Sequence, residues 1–126
     1  MALKLRKSWL IGGLALLAAS AAQAEAIDEL DQALGSSAKA AQVLDLARQQ
    51  AAGGQLLEAL ASSERALFLD SKSQAARLLH ATLLCRLDDP RGAAAEFSLL
   101  KQRDFKKADW QGATAHCPAL FTKGAK

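Results

Sequence analysis

The residues with the greatest chemical capacity in this 126-residue chain are two cysteines, Cys85 and Cys117, and two histidines, His80 and His116. Together, thiolates and imidazoles can hold a zinc ion, and two thiols can close a disulfide. The spacing matches no zinc finger, and adjacent His116 and Cys117 are poorly arranged to ligate one ion, so no metal is expected. His80 is expected to pack between helices with a satisfied ring nitrogen. Motifs for catalysis are absent: the sequence has no G-x-S-x-G, no H-E-x-x-H, no C-x-x-C and no C-x-x-C-H haem attachment. Gly53-Gly54 reads as a turn between helices rather than a phosphate loop. Ser62 and Ser63 are expected on an exposed helix face. The chain therefore reads as a non-enzyme without a cofactor.

Whether two thiols pair depends on the compartment, and the first residues speak to that. Lys4, Arg6 and Lys7 form a basic start, Trp9 to Ala19 is uncharged and apolar, and Ala22-Gln23-Ala24 is a small-x-small cleavage site before Glu25. These are the three parts of a secretory signal peptide, and the apolar stretch is short of the ~20 residues that a membrane span needs. Residues 1–24 are thus expected to be removed after Ala24. No cysteine lies beside the site, which argues against a lipoprotein anchor. The short leader looks bacterial and implies a secreted or periplasmic protein with no membrane attachment. That location permits a disulfide, the alternative being two buried free thiols.

Cleavage also changes the charge. The whole chain has 16 basic and 13 acidic residues, and three of the basic ones lie in the leader. The remaining 102 residues balance at 13 against 13, so the basic character belongs to the leader and gives no argument for nucleic-acid binding. Glu25, Asp28, Glu29 and Asp31 make residues 25–37 an acidic segment. Lys101, Arg103, Lys106, Lys107, Lys123 and Lys126 make the far end basic.

The elements that must position these residues are helical. Ala and Leu are abundant, Tyr is absent and β-branched residues are few, which suits close-packed helices. Ser36 or Ser37 can cap a helix starting near Ala38, with Val43, Leu44, Leu46 and Ala47 on one broad face. Gly53-Gly54 ends it. A second helix is expected over 55–69, with Leu56, Leu60, Ala66 and Leu67 inward. Ser71 or Ser73 can cap a third, carrying Ala76, Leu79, Leu83, Leu84 and Leu87. Asp89-Pro90 opens a fourth over about 90–102, with Ala93, Ala94, Phe97 and Leu100 inward. A shorter helix can follow Asp104, and residues 118–126 are expected to form a flexible tail.

Shifting the sequence by 34 residues superposes Ala47 on Ala81 and Ala115, Ala59 on Ala93, Gly54 on Asp88, Leu46 on His80 and Ala66 on Leu100. With Leu46-Ala47, Gly54, Glu58-Ala59 and Ala66-Leu67-x-Leu69-Asp70, then Ala81, Asp89, Ala93 and Phe97, the chain resembles the tetratricopeptide repeat (TPR) family. The resemblance covers repeats at about 40–73 and 74–107. It departs from the family at Ser71, where proline is usual, and at His80 and Leu100.

The resemblance implies an all-α fold of antiparallel helix pairs stacked as a short right-handed solenoid over 38–117. A capping helix at about 106–117 carries Lys106, Lys107, Asp109 and Gln111 on its outer face. In the repeat register Cys85 and Cys117 lie late on their helices, which favours a disulfide that fastens the cap. The family's partners lie in a concave groove, here implied at Leu44, Arg48, Ala51, Leu78, Thr82, Cys85 and Arg86. The two arginines suit acidic groups or a peptide carboxylate. The lysine and asparagine clamp of members that bind chaperone tails is absent. The expected function is binding of another protein or peptide. The alternatives are a homodimeric scaffold built on the open ends of the stack, and an accessory redox or metal role through Cys85 and Cys117.

Overall fold

A computed structural model describes residues 28–32 and 34–122. The signal-peptide expectation for residues 1–24 lies outside them. The chain divides into two units, Met1–Gly35 and Ser36–Lys126. In the first, residues 28–32 and 34–35 are helical and exposed. In the second, the described residues are all-α. Helix α1 covers 36–52, followed by α2 (Leu56–Leu69), α3 (Gln74–Arg86), α4 (Pro90–Ser98), a 3-10 turn (Gln102–Asp104), α5 (Lys107–Ala115) and α6 (Pro118–Phe121).

The boundaries follow local chemistry. Ser73 caps α3, its hydroxyl accepting from the Ala76 N–H at 3.3 Å, and the Asp89 carboxylate accepts from the Gly92 N–H at 2.9 Å ahead of α4, where Pro90 takes the first helical position. In the turn between α2 and α3 the Asp70 carboxylate accepts from the Lys72 N–H at 3.1 Å. α1 is already helical at Ser36, so neither Ser36 nor Ser37 is its cap. The fourth helix stops at Ser98 instead of 102, and the 3-10 turn takes up the remaining chain.

The two helix-pair turns match in detail. Gly54 has φ 79° and Asp88, 34 residues on, has φ 61°. Both use the left-handed region that closes a helix, which glycine enters without strain and aspartate tolerates. In the first turn the N–H groups of Gly53, Gly54 and Gln55 donate to the carbonyls of Gln49, Ala51 and Gln50. In the second, those of Leu87, Asp88 and Asp89 donate to Leu83, Cys85 and Leu84, each acceptor again 34 residues on.

The core is built largely of alanine. Ala47, Ala59, Ala66, Ala76, Ala81 and Ala93 are fully buried, and Leu83 is the largest side chain with no exposure. Ala59 and Leu83 share a cluster with Ala51, while Ala81 and Ala93 pack with Leu78, Phe97, Leu100 and Ala113. A methyl group at a crossing lets helix backbones approach closely, and leucines and one phenylalanine fill the flanks.

Several expectations change. Ala115 is exposed and Ala113 is the buried residue of α5, so the repeat step shortens to 32 residues after α3. Leu46 and Ala94 face solvent, and Ser63 is fully buried with its hydroxyl donating to the Leu60 carbonyl at 2.7 Å. Residues 118–121 are not a loose tail: they form α6, and the Phe121 ring lies 4.9 Å from that of Phe97.

Enlarging an alanine crossing has a defined cost. Ala59→Leu or Ala93→Leu should destabilise the fold by ~1–3 kcal/mol in chemical denaturation, because both sites are fully buried and the added carbons overpack them. An unshifted midpoint in both variants would contradict the crossing.

Candidate functional site

A cleft of about 430 Å³ lies between α1, α3 and α5. Its apolar lining comes from Ala75, Leu78, Leu79 and Ala113, with Phe105 ahead of α5. Around these stand Arg48 from α1, Thr82 and Arg86 from α3, Asp109 from α5 and His116 just past its end. Gly112 also lines it, and a Cβ built there meets nothing within 4 Å. An apolar floor edged by a few charged and hydroxyl groups is the usual make-up of a ligand site.

The two guanidinium groups differ in their freedom. Arg48 is exposed and its Nη1 meets the Asp45 carboxylate at 2.9 Å, an i,i+3 surface pair worth ~0–1 kcal/mol. A ligand carboxylate can compete for it. Arg86 is half-buried, and its Nη1 donates to the Ala51 carbonyl at 3.4 Å. That carbonyl belongs to the last turn of α1, where it also accepts from the Gly54 N–H and where the helix dipole favours a cation. Arg86 therefore also ties α3 to the end of α1. The Thr82 hydroxyl donates to the Leu78 carbonyl at 2.8 Å.

Of the groove residues expected from the sequence, Arg48, Leu78, Thr82 and Arg86 line this cleft. Leu44 and Ala51 do not: both are buried, Leu44 against Ala66 and Ala76, and Ala51 against Ala59 and Leu83. Cys85 is committed elsewhere, to the disulfide. The α5 side of the cleft is absent from that expectation, because a constant 34-residue step carried to α5 turns the helix by two residues. The sequence held the correcting signal: Cys85 and Cys117 are 32 apart, the same step as Ala81 to Ala113.

Cys85 and Cys117 form a disulfide with Cα atoms 5.4 Å apart. Cys117 lies past the end of α5, at the non-helical residue before α6 (φ −125°, ψ 52°). The bond thus fastens the α5–α6 junction to the last turn of α3. A second hollow, also about 430 Å³, opens beside it, lined by Asp88, Pro90, His116 and Leu120. His116 borders both hollows.

Aromatic packing holds the same cap from its other side. Phe97 meets Trp110 edge-on at 5.7 Å, and Trp110 meets Phe105 at 5.6 Å and Phe121 at 6.1 Å. Such pairs contribute ~0.5–1.5 kcal/mol each beyond burial.

His80 lies outside the cleft. Its Nε2 is 3.5 Å from the Glu64 carboxylate on α2, and its Nδ1 is 3.7 Å from that of Glu96 on α4. Neither ring nitrogen makes a hydrogen bond, so the expected satisfied nitrogen is corrected to an imidazole held between two carboxylates. Glu96 also accepts from Arg77 Nη1 at 2.7 Å, and Arg77 Nη2 donates to the Ser71 carbonyl. The cluster links α2, α3 and α4. Among the described residues no three His, Cys, Asp or Glu side chains are placed to hold a metal ion.

No protein-family model matches the chain, and neither a curated protein nor a solved structure shows significant similarity to it.

The disulfide closes a loop with a sequence separation of 32, which stabilises by about 3–4 kcal/mol in the chain-entropy account. The paired Cys85→Ser/Cys117→Ser variant should lose that much in urea denaturation, and the oxidised protein should show no titratable thiol when denatured. Two titratable thiols, or equal stability of the paired variant, would contradict the bond's role.

Proposed function

We propose that this chain is an exported, TPR-type interaction module that holds a peptide or helix of a partner protein in the cleft between α1, α3 and α5. The observation that carries the reading is the cleft itself: an apolar floor from α3, α5 and Phe105, with the exposed Arg48 of α1 and the half-buried Arg86 at its edge. Such a floor favours apolar side chains, and the guanidinium groups favour acidic ones.

The TPR reading rests on the 34-residue recurrence. Equivalent small residues are buried at Ala47 and Ala81 and at Ala59 and Ala93, and both helix-pair turns use one hydrogen-bond pattern. Export rests on the basic, apolar and small-x-small parts of residues 1–24, and the disulfide fits an oxidising compartment. No helix among the described residues is long and apolar enough to cross a membrane. Binding in this account is passive, with no bond made or broken.

Two variants test the cleft with little risk to the fold. Arg48→Glu removes a cation whose one pair is a surface pair. Gly112→Leu fills the cleft from a position where a Cβ has open space, and leucine is the better helix former. Peptide-display selection on the oxidised protein should yield ligands that bind about tenfold or more weaker to each variant, ~1.4 kcal/mol or more, with unchanged thermal midpoints. Selection of no ligand, or of ligands indifferent to both variants, would contradict the reading.

A further inference from the structure

We infer that the Cys85–Cys117 disulfide is a redox latch on the cleft: its reduction by a dithiol unseats the cap and weakens binding there. The inference rests on the reading of the cleft as a ligand site. The starting observation is where the bond sits in the sequence of the lining. Cys85 immediately precedes Arg86, and Cys117 immediately follows His116; Arg86 and His116 both line the cleft. One covalent tie thus joins the α3 side of the cleft to the cap side through residues adjacent to its lining. The two sides differ in their attachment. Arg48 and the α3 residues belong to the two helix pairs. Asp109, Gly112, Ala113 and His116 belong to the cap.

The bond can be approached without entering the cleft. Both cysteines line the second hollow, and Cys85 is half-buried where Cys117 is 2% exposed. A thiolate of the dithiol attacks the Cys85 sulfur, the bond to Cys117 breaks, and Cys117 leaves as a thiolate that takes up a proton. The dithiol's second thiol loses its proton and attacks the mixed disulfide. It closes the reductant's own disulfide and releases Cys85, which is protonated in turn. Two electrons pass from the dithiol to the protein. The cap then keeps only non-covalent support, from Ala113 and from the Trp110 and Phe121 rings on Phe97. Nine residues of α5 are marginal as a helix on their own, so the cap exchanges between seated and unseated forms. Only the seated form presents the whole cleft, and affinity falls by the seated fraction. The helix pairs outlast the change: the clusters around Leu44, Ala66 and Ala76 and around Ala51, Ala59 and Leu83 contain no cap residue. Linkage makes the coupling reciprocal, so a ligand spanning both sides protects the bond from reduction by the same factor.

The probe is a peptide selected by display on the oxidised protein and weakened by Gly112→Leu. Its dissociation constant should rise about tenfold or more when dithiothreitol reduces the protein, as when the cap is seated in about a tenth of molecules or fewer. Cys85→Ser/Cys117→Ser should bind as weakly as reduced protein and be indifferent to dithiothreitol. Circular dichroism should retain most of the helical signal on reduction. In a redox titration, saturating peptide should raise the ratio of reduced to oxidised dithiothreitol at half-reduction by the same factor as the loss of affinity. A peptide bound equally by both redox forms, a titration midpoint unmoved by peptide, or collapse of the helical signal on reduction would each overturn the latch while leaving the cleft a ligand site. Selection of no such peptide would overturn the reading of the cleft and the latch with it.

Discussion

Close approach of helices at alanine is the constraint on which the rest of this structure depends. Ala47, Ala59, Ala81 and Ala93 have no exposure, and a small side chain at such a buried helix contact permits close approach of the backbones. A core made this way is tightly packed but poor in apolar area. Burying a methyl group removes far less surface from water than burying a leucine. A domain of this size has little to spare, because its net stability is a small difference between large terms. The alanine crossings therefore fix the geometry while leaving other features to supply stability.

The far end supplies it. α5 is only nine residues long, and a helix of that length is marginal in water without tertiary support. Here the support is threefold: the buried Ala113, the Phe97–Trp110–Phe121 ring packing, and the covalent tie from Cys117 to Cys85. The cap then does two things. It covers the apolar side of the second helix pair, which a longer stack would cover with another repeat. It also forms the third wall of the cleft, contributing Asp109, Gly112 and His116. Stability and cleft shape are thus coupled through one short element. The cluster of Arg77, Glu96, His80 and Glu64 performs a similar linking role away from the cleft, where it joins α2 to α4 across α3.

Much of this was legible in the residues. The turn at Gly54, the caps at Ser73 and Asp89 and the buried alanines at a 34-residue step all act through local chemistry or a fixed period. Arg48, Leu78, Thr82 and Arg86 could be placed at the cleft because that period holds from α1 to α3. It fails at α5, since α4 ends early and a 3-10 turn replaces its last turn, so Ala113 rather than Ala115 faces inward. Leu44 and Ala51 illustrate a different limit. Periodicity identifies a helix face, but only packing decides whether that face meets a neighbour or opens to a groove. The helix at 118–121 was hidden because its apolar residues gain their packing from Phe97, which is distant in sequence.

The central claim is that an alanine-packed pair of helix hairpins is completed by a cap tethered to α3. Amide hydrogen exchange, compared between the oxidised protein and protein reduced by a dithiol, tests it most directly. The account predicts that residues 107–121 lose protection on reduction while the buried stretches of α2 and α3 keep theirs. Unchanged exchange in 107–121, or protection lost equally along α2, α3 and the cap, would contradict it.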